Sequence, residues 1–231
     1  MATVESIEFE APPLANGDKM TRDEFLSRWE LHPEIKKAEL IGGIVYMPSP
    51  LTVSHGSADD DVGGWLFNYR IQTPNVDGAT NVTTLLLEDS PQPDRHLRIV
   101  PECRGKSWIE GKYLAGPAEL MAETCLSSKS YDLHQKYHLY EAAGVQEYLA
   151  VLLHEREIRW HILVGGRYEL LPPDADGIWR SRVFPGLWLD GEALLRRDMP
   201  AVLAKLQDGI ASPEHREFVA ELARRRREPN S

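Results

Sequence analysis

A carboxylate stands inside an apolar run near the middle of the chain. Glu123 lies within the segment 120–126, whose other residues are leucine, methionine, alanine, threonine and cysteine. This composition predicts a buried strand. A buried carboxylate loses its hydration, and it persists only when a cation, hydrogen bonds or a metal compensates for that loss. Any fold of this chain must therefore place a partner beside Glu123.

A second carboxylate stands at the start of another predicted strand. Pro93-Asp94 precedes the run 97–100, which is apolar apart from Arg98. The chain between Asp94 and Glu123 is long enough for one strand, a connection and a return strand, so adjacent strands can hold both carboxylates side by side. A structural role stays open for each, because aspartate often follows proline at a strand start and a strand glutamate can pair with arginine.

The helix predicted over Tyr131–Ala143 carries a lysine, Lys136, at the edge of its apolar face. From that position a lysine can lay its stem along apolar surface and deliver its ammonium to a neighbouring site. The alternative is a helical ion pair with Asp132, which contributes only a few tenths of a kcal/mol. At about 100° per residue, the apolar face consists of Leu133, Tyr137, Tyr140 and Gly144.

Two carboxylates and an ammonium at one sheet edge are typical of metal-dependent phosphodiester cleavage. Mg²⁺ prefers carboxylate oxygens and keeps several of its waters. A metal bound there would polarise a phosphate oxygen and lower the pKa of a bound water. The pattern therefore favours hydrolysis of a nucleic acid backbone.

The charge of the chain argues against a general electrostatic grip on nucleic acid. The net charge is −10 and the pI is about 5.3, whereas such binding depends on lysine and arginine neutralising phosphates. The run Arg224–Arg227 either binds phosphate or solvates an exposed helix end. A local basic strip follows Asp94 and consists of Arg95, Arg98, Arg104, Lys106 and Lys112.

Other features exclude several classes of protein. No apolar span of about eighteen residues predicts a membrane helix, and the acidic N-terminus does not resemble a secretory signal, so we expect a cytoplasmic protein with no membrane partner. Cys103 and Cys125 cannot form a disulfide framework and are expected to be reduced. His134 and His138 have zinc-compatible spacing but lack a third ligand, which predicts surface histidines.

Helices and strands alternate along the chain, which indicates an α/β or α+β fold. The segment 105–117 is expected to be a loop. Predicted helices cover residues 20–31, with Thr21 and Glu24 as a capping box, 54–71, 131–143, 192–208 and 213–227. Predicted strands cover the hairpin 38–47 around Gly42-Gly43, residues 76 and 82–87, the strands of Asp94 and Glu123, residues 147–153, and the hairpin 158–171 around Gly165-Gly166.

The order of motifs resembles the Uma2 family, a bacterial group of proposed restriction endonucleases in the PD-(D/E)XK superfamily. The resemblance covers about residues 21–194, and its most specific part runs from Glu123 to Tyr148. The motifs that carry it are Glu39-Leu40-Ile41-Gly42-Gly43, His55, Pro93-Asp94, 117–123, Ser127-Ser128, Tyr131-Asp132, Lys136, Tyr140 and 143–148.

The resemblance implies a fold, a domain organisation and partners. The fold would be a restriction-endonuclease-like core, with a mixed central sheet flanked by helices, an N-terminal helix and hairpin, and a C-terminal helical extension. We expect an N-terminal tail over 1–20, the nuclease domain over 21–195 and an Arg-rich helical tail over 196–231. The implied partners are DNA and a second copy of the chain in a homodimer.

The resemblance also implies roles for single residues. Asp94 and Glu123 would hold Mg²⁺, or Mn²⁺ as a substitute, with help from Glu39. Lys136 would act as a displaced form of the superfamily lysine, whose usual position is occupied by Cys125. Either Lys136 replaces that lysine or catalysis is impaired.

Three further residues bear on the site. His55 matches a histidine of the family pattern and has either a site role or a role in capping and packing. Arg95 and His96 replace hydrophobic residues at the start of the Asp94 strand, so they either face a binding surface or mark a copy that no longer cuts.

Two functions follow from the sequence. The first is a Mg²⁺-dependent DNA endonuclease that uses Asp94, Glu123, Lys136 and Glu39. The second is a catalytically inactive relative that acts as a DNA-binding or protein-interaction module, which the acidic charge and Cys125 favour. A serine hydrolase is disfavoured because the chain has no Gly-x-Ser-x-Gly motif.

Overall fold

The computed structural model describes residues 11–47, 52–126 and 131–228, and it describes residues 131–133 without their side chains. The predicted Ser127-Ser128 link and residues 1–10 of the predicted N-terminal tail lie outside the described residues. The helices are α1 Arg22–Leu31, α2 Val53–Gln72, α3 Tyr131–Ala143, α4 Gly191–Leu195, α5 Met199–Ile210 and α6 Pro213–Arg227.

The strands are short and numerous. They are β1 Glu39–Ile41, β2 Ile44–Tyr46, β3 Val76–Thr80, β4 Thr84–Leu85, β5 Arg95–Ile99, β6 Trp108–Glu110, β7 Tyr113–Ala115, β8 Leu120–Cys125, β9 Glu147–Leu152, β10 Glu157–Val164, β11 Arg167–Leu170, β12 Ile178–Arg180 and β13 Trp188–Asp190. A 3₁₀ turn covers Pro101–Cys103.

A mixed six-stranded sheet forms the centre of the protein, in the order β11-β10-β9-β8-β5-β3. Strands β8 and β9 are parallel and α3 connects them, whereas the other neighbours are antiparallel. Helix α2 packs on one face of the sheet, and α3 with the hairpin β1–β2 covers the other. This is the predicted class, a mixed central sheet flanked by helices.

Side chains from the two faces of the sheet belong to two separate hydrophobic clusters. Side chains alternate along a strand, and in β8 Leu120 and Ala122 pack toward α2 while Met121 packs toward α3. Glu123 and Cys125 follow Met121 in the same alternation. The strand therefore presents Glu123 to the α3 face, where it is 5% exposed.

The hairpin β1–β2 turns at Gly42-Gly43, as predicted. Both glycines have positive φ, 61° and 71°, which L side chains adopt only with strain. The carboxylate of Asp89 accepts hydrogen bonds from both glycine N–H groups, at 2.9 and 3.2 Å. Asp89 thereby anchors the hairpin to the segment that leads into β5.

The C-terminal helices complete the core on the α2 face. Val202 and Leu206 of α5 and Leu222 of α6 are fully buried there. The prediction of one helix over 192–208 was wrong, because α4 ends at Leu195 and α5 begins at Met199. Asp198 causes the second start, since its carboxylate accepts the Ala201 N–H as an N-cap.

The prediction of a loop over 105–117 was also wrong. The segment forms a hairpin of β6 and β7, which joins β4 in a three-stranded sheet. Trp108, Ile109 and Glu110 of β6 are all exposed, so the alternation that reveals a half-buried strand is missing. Strands β12 and β13 were not predicted, and only Thr84–Leu85 of the expected strand 82–87 is extended in a sheet.

None of the described helices is long and apolar enough to cross a bilayer.

Glu147, at the start of β9, joins two parts of the core through its buried carboxylate. It accepts hydrogen bonds from the Ser181 hydroxyl and from the N–H groups of Arg182 and Val183, at 2.7, 2.7 and 3.2 Å. Burial raises its pKa, and these donors oppose that effect. Glu147 therefore fixes the segment before β13 to the central sheet.

Replacing Glu147 by alanine should lower the free energy of unfolding by about 3 kcal/mol, because several buried donors lose their acceptor. Urea denaturation of the wild type and the variant measures the change. The matched control is Glu157→Ala, which removes a half-exposed carboxylate from the neighbouring strand. Equal stability of both variants would contradict a bracing role for Glu147.

Candidate active site

The pairing of β5 with β8 brings Asp94 and Glu123 together. Arg95 lies opposite Ala122 in this antiparallel pair, and one further step of the same register sets Asp94 opposite Glu123. The Thr124 N–H donates to Asp94 Oδ2 at 3.0 Å, which fixes the aspartate against β8. The structure therefore joins the two carboxylates that the sequence places on neighbouring strands.

Glu123 receives two side-chain partners from α3, both on its Oε1 atom. The Lys136 Nζ atom lies 3.0 Å away, and the Tyr140 hydroxyl donates at 2.8 Å. Lys136 and Tyr140 are four positions apart, which places them on one side of the helix. All three residues are buried, so this is the compensation that a carboxylate in an apolar strand requires.

Glu39, on β1, completes the cluster. Its Oε1 atom lies 2.9 Å from Lys136 Nζ and accepts the Gln92 N–H at 2.5 Å. Lys136 thus bridges carboxylates from the hairpin and from the central sheet. We use "acid cluster" below for Glu39, Asp94, Glu123 and Lys136.

The acid cluster contains more negative than positive charge. Lys37 is the next cation, with its Nζ atom 3.9 Å from Asp94 Oδ1. Burial raises the pKa of Glu123 to about 8; Lys136 opposes this, while Asp94 and Glu39 add to it. Burial lowers the pKa of Lys136, but the neighbouring carboxylates hold that pKa well above its usual value. The lysine therefore stays charged, and the cluster has room for further positive charge.

His55 lies apart from this chemistry. It sits in the first turn of α2, where its backbone N–H donates to the Thr52 hydroxyl at 3.3 Å. Within the described ranges, no hydrogen bond or ion pair links the His55 side chain to the acid cluster. The N-cap of this turn is Thr52, so the role of the His55 side chain stays a prediction.

Arg95 and His96 have partners or burial within the fold, and both also line a cleft of about 310 Å³ between α2 and β3. Arg95 binds Asp59 of α2, with Nη2 2.7 Å from Oδ2 and Nε 3.1 Å from Oδ1. His96 is 4% exposed, and burial lowers its pKa to about 4. A buried strand accepts these residues because Asp59 neutralises the arginine and the histidine stays neutral.

The structure also supplies partners that sequence reasoning missed. Tyr140 was assigned to the apolar face of the helix and to the family pattern but not to the site, although its spacing from Lys136 is a detectable signal. Gln92 and Lys37 gave no local signal, because their contacts with Glu39 and Asp94 join distant parts of the chain. Cys125 is half-buried, two residues after Glu123 on the same face of β8.

The donor set fits a hard cation with few protein ligands. In the ranges that the structure describes, no three His, Cys, Asp or Glu side chains are arranged to hold a metal, and Lys136 separates Glu39 from Glu123. Asp94 and Glu123 remain as an opposed pair of carboxylates. Mg²⁺ commonly binds through one or two carboxylates and keeps several waters. These two carboxylates therefore match the number of protein ligands that Mg²⁺ usually has.

Comparisons with known proteins agree with this architecture. The sequence model of the Uma2 family, described as "Putative restriction endonuclease", matches residues 22–192. Among solved structures, the fold is similar to a protein from Anabaena variabilis ATCC 29413 described as "a putative nuclease belonging to DUF820". The two chains are 16% identical, with a TM-score of 0.58 over 77% of this chain and 98% of the other. A search of the curated proteins finds no match.

The family match confirms the resemblance seen in the sequence, and the structural likeness confirms the predicted class of fold. The description of the family indicates a nuclease.

Replacing Lys136 by methionine should lower the free energy of unfolding by about 3–5 kcal/mol, because two buried carboxylates lose their shared cation. The double variant Lys136→Met/Glu123→Gln should recover part of that loss, because it also removes one of the charges. Urea denaturation compares the variants. Arg167→Met is the matched control, since its ion pair with Glu141 lies at the surface with the arginine side chain 83% exposed. A single variant as stable as this control would refute the bridging role of Lys136.

Proposed function

The chain belongs to the Uma2 family, and from this membership and the acid cluster we propose that it is a Mg²⁺-dependent endonuclease that hydrolyses phosphodiester bonds of DNA. The observation that carries the proposal is the opposition of Asp94 and Glu123 across β5 and β8, with Lys136 Nζ 3.0 Å from Glu123. The acid cluster contains three carboxyl groups and one ammonium, so a divalent metal ion would balance the remaining negative charge and could in turn bind a phosphate.

Asp94 and Glu123 would hold the metal. The ion would supply Lewis acidity at a phosphate oxygen and a bound water of lowered pKa. Hydrogen bonds and an ion pair within the chain orient both carboxylates. The Thr124 N–H fixes one oxygen of Asp94, and the Tyr140 hydroxyl and Lys136 fix one oxygen of Glu123. A ligand would bind the other oxygen of Glu123 and would compete with Lys37 for the other oxygen of Asp94.

Lys136 would act on charge rather than as a proton donor. Neighbouring carboxylates keep its pKa well above its usual value although burial opposes this, so the ammonium stays protonated. A fixed ammonium beside the reacting phosphate stabilises negative charge that develops in the transition state. Glu39 and the Gln92 N–H hold this part of the site in place. In this proposal Lys136, from α3, does the work of the superfamily lysine whose place Cys125 takes.

An inactive relative that binds DNA or protein is the second candidate, and a specific observation favours its protein-binding form. Several cations that could contact a DNA backbone are already in ion pairs: Arg98 with Asp77, Arg104 with Glu228 and Lys112 with Glu30, at 3.1, 2.7 and 2.9 Å. Metal binding separates the two functions, because the inactive relative needs no metal at Asp94 and Glu123.

Calorimetric titration of Mn²⁺ tests the metal site directly. We expect binding to the wild type and no binding to Asp94→Asn or Glu123→Gln, since each variant removes one of the two anionic ligands. Glu157→Gln is the control, because it removes a carboxylate of another strand. Thermal unfolding first establishes that all four proteins are folded.

Cleavage of supercoiled plasmid with Mg²⁺ provides the second readout. The two ligand variants and Lys136→Met should each lose at least about a hundredfold in rate, as expected for loss of a major electrostatic group. Absence of Mn²⁺ binding to the folded wild type would refute the proposed metal site and favour the inactive relative.

A further inference from the structure

A cleft of about 250 Å³ lies beside the acid cluster and has no role in the proposal above. We call it the Tyr113 cleft. Its walls come from three places: the end of α1 and the segment after it, the hairpin β6–β7, and the strand region before β5. The lining residues are Trp29, Glu30, Lys36, Thr83, Gln92, Lys112 and Tyr113.

Gln92 connects the Tyr113 cleft to the acid cluster. Its backbone N–H donates to Glu39 Oε1 at 2.5 Å, while its side chain lines the cleft. The side-chain amide donates to the Thr83 hydroxyl at 2.7 Å, and both residues are buried, with Gln92 4% and Thr83 8% exposed. A ligand that contacts the Gln92 side chain in the cleft would therefore be separated from Glu39 of the acid cluster by Gln92 alone.

The buried polar pair leaves a donor and an acceptor for a ligand. The Gln92 amide N–H is used by Thr83 Oγ1, so the amide oxygen of Gln92 and the hydroxyl proton of Thr83 remain. Within the described part of the chain, neither takes part in another hydrogen bond of the structure. A neighbouring donor and acceptor in a fixed orientation match the edge of a nucleobase, which presents the same two kinds of group.

Two aromatic rings line the Tyr113 cleft. The indole N–H of Trp29 donates to the Ile35 carbonyl at 2.7 Å, and its ring packs on Phe25 with centroids 5.3 Å apart, so the tryptophan is held in place. Tyr113 comes from the opposite wall, on β7. Aromatic side chains of this kind stack with unpaired bases, a contact worth about 1–3 kcal/mol per base in other proteins.

Two lysines supply positive charge at the rim of the Tyr113 cleft. Lys36 donates to the Pro33 carbonyl, at 2.7 Å, and it forms no ion pair with a described carboxylate. Lys112 lies 2.9 Å from Glu30 and 5.3 Å from the centre of the Tyr113 ring. The pair of Lys112 with Glu30 is more than half exposed on both sides, and such surface pairs are weak, so a phosphate can compete for the lysine.

We propose that the Tyr113 cleft binds one unpaired nucleotide of the substrate strand, next to the phosphodiester bond that the acid cluster cuts. The base stacks on Tyr113 and meets Gln92 and Thr83 at its edge, and the phosphate contacts Lys36 and Lys112. This inference rests on the proposed function, and it narrows the substrate to DNA with an unpaired or displaced base near the site of cleavage.

Fluorescence anisotropy tests the subsite without metal and without cleavage. A fluorescein-labelled single-stranded oligodeoxynucleotide and a blunt duplex of the same sequence are titrated with full-length protein in EDTA. Tyr113→Ala should weaken single-strand binding about tenfold and leave duplex binding unchanged. Tyr113→Phe keeps the ring and should bind like the wild type. Trp108→Ala is the matched control, because Trp108 is a half-exposed aromatic residue of the same hairpin that does not line the cleft.

The salt dependence of binding tests the phosphate contact separately. Lys36→Gln should reduce the slope of log affinity against log salt concentration by about 0.7, the value for one phosphate contact on a single strand. Lys205→Gln, which removes a lysine of α5 that pairs with Asp208, should leave the slope unchanged. Circular dichroism establishes that every variant is folded.

The outcomes separate the subsite from the proposed cleavage. Equal single-strand affinity of the wild type and Tyr113→Ala, or no single-strand binding by the wild type, overturns the subsite, and Mn²⁺ binding with plasmid cleavage can still stand. The expected losses at Tyr113 and Lys36, found in a protein that neither binds Mn²⁺ nor cleaves DNA, support the subsite and refute the nuclease.

Discussion

The ammonium of Lys136 is the contact on which the arrangement of the site depends. It lies 2.9 Å from Glu39 and 3.0 Å from Glu123, so one side chain of α3 ties the hairpin β1–β2 to the central sheet. Glu123 and Lys136 are almost fully buried, and neither could remain charged there alone. The hairpin, the crossover helix and β8 must therefore keep positions in which the Lys136 ammonium contacts both carboxylates. This requirement fixes where the candidate catalytic residues lie.

Other buried carboxylates of the sheet show what a purely structural solution looks like. Glu119 accepts the N–H groups of Ile99 and Lys106 at 2.7 and 2.9 Å, and Glu147 is bound by a hydroxyl and two backbone N–H groups. Backbone donors of this kind surround a carboxylate and leave no place for a ligand. Glu123 instead concentrates its described partners, an ammonium and a phenol, on one oxygen. Unlike Glu119 and Glu147, Glu123 can therefore also bind a ligand.

The sequence was sufficient for those parts of the site that follow from strand and helix periodicity. The need for a partner at Glu123, the strand of Asp94 and the boundary position of Lys136 are all local patterns, and the structure joins them as expected. Local patterns could not reveal Gln92 or Lys37, whose contacts join distant segments, nor the hairpin β6–β7, whose first strand is exposed along its whole length. The partner of Arg95 could not be predicted for the same reason, because Asp59 belongs to a distant helix.

The distribution of paired charge determines how this acidic protein would bind a polyanion under the proposed function. Arg95, Arg98 and Arg104 are held by Asp59, Asp77 and Glu228, so the basic strip seen in the sequence carries little net field. The cations near the acid cluster are lysines of other segments, with Lys37 beside Asp94 and Lys36 at the rim of the Tyr113 cleft. Attraction of a nucleic acid would therefore act at short range and through few phosphates, which gives a shallow salt dependence. In the proposed site a divalent cation would contribute to binding as well as to chemistry, because it would neutralise carboxylates that otherwise repel the phosphate.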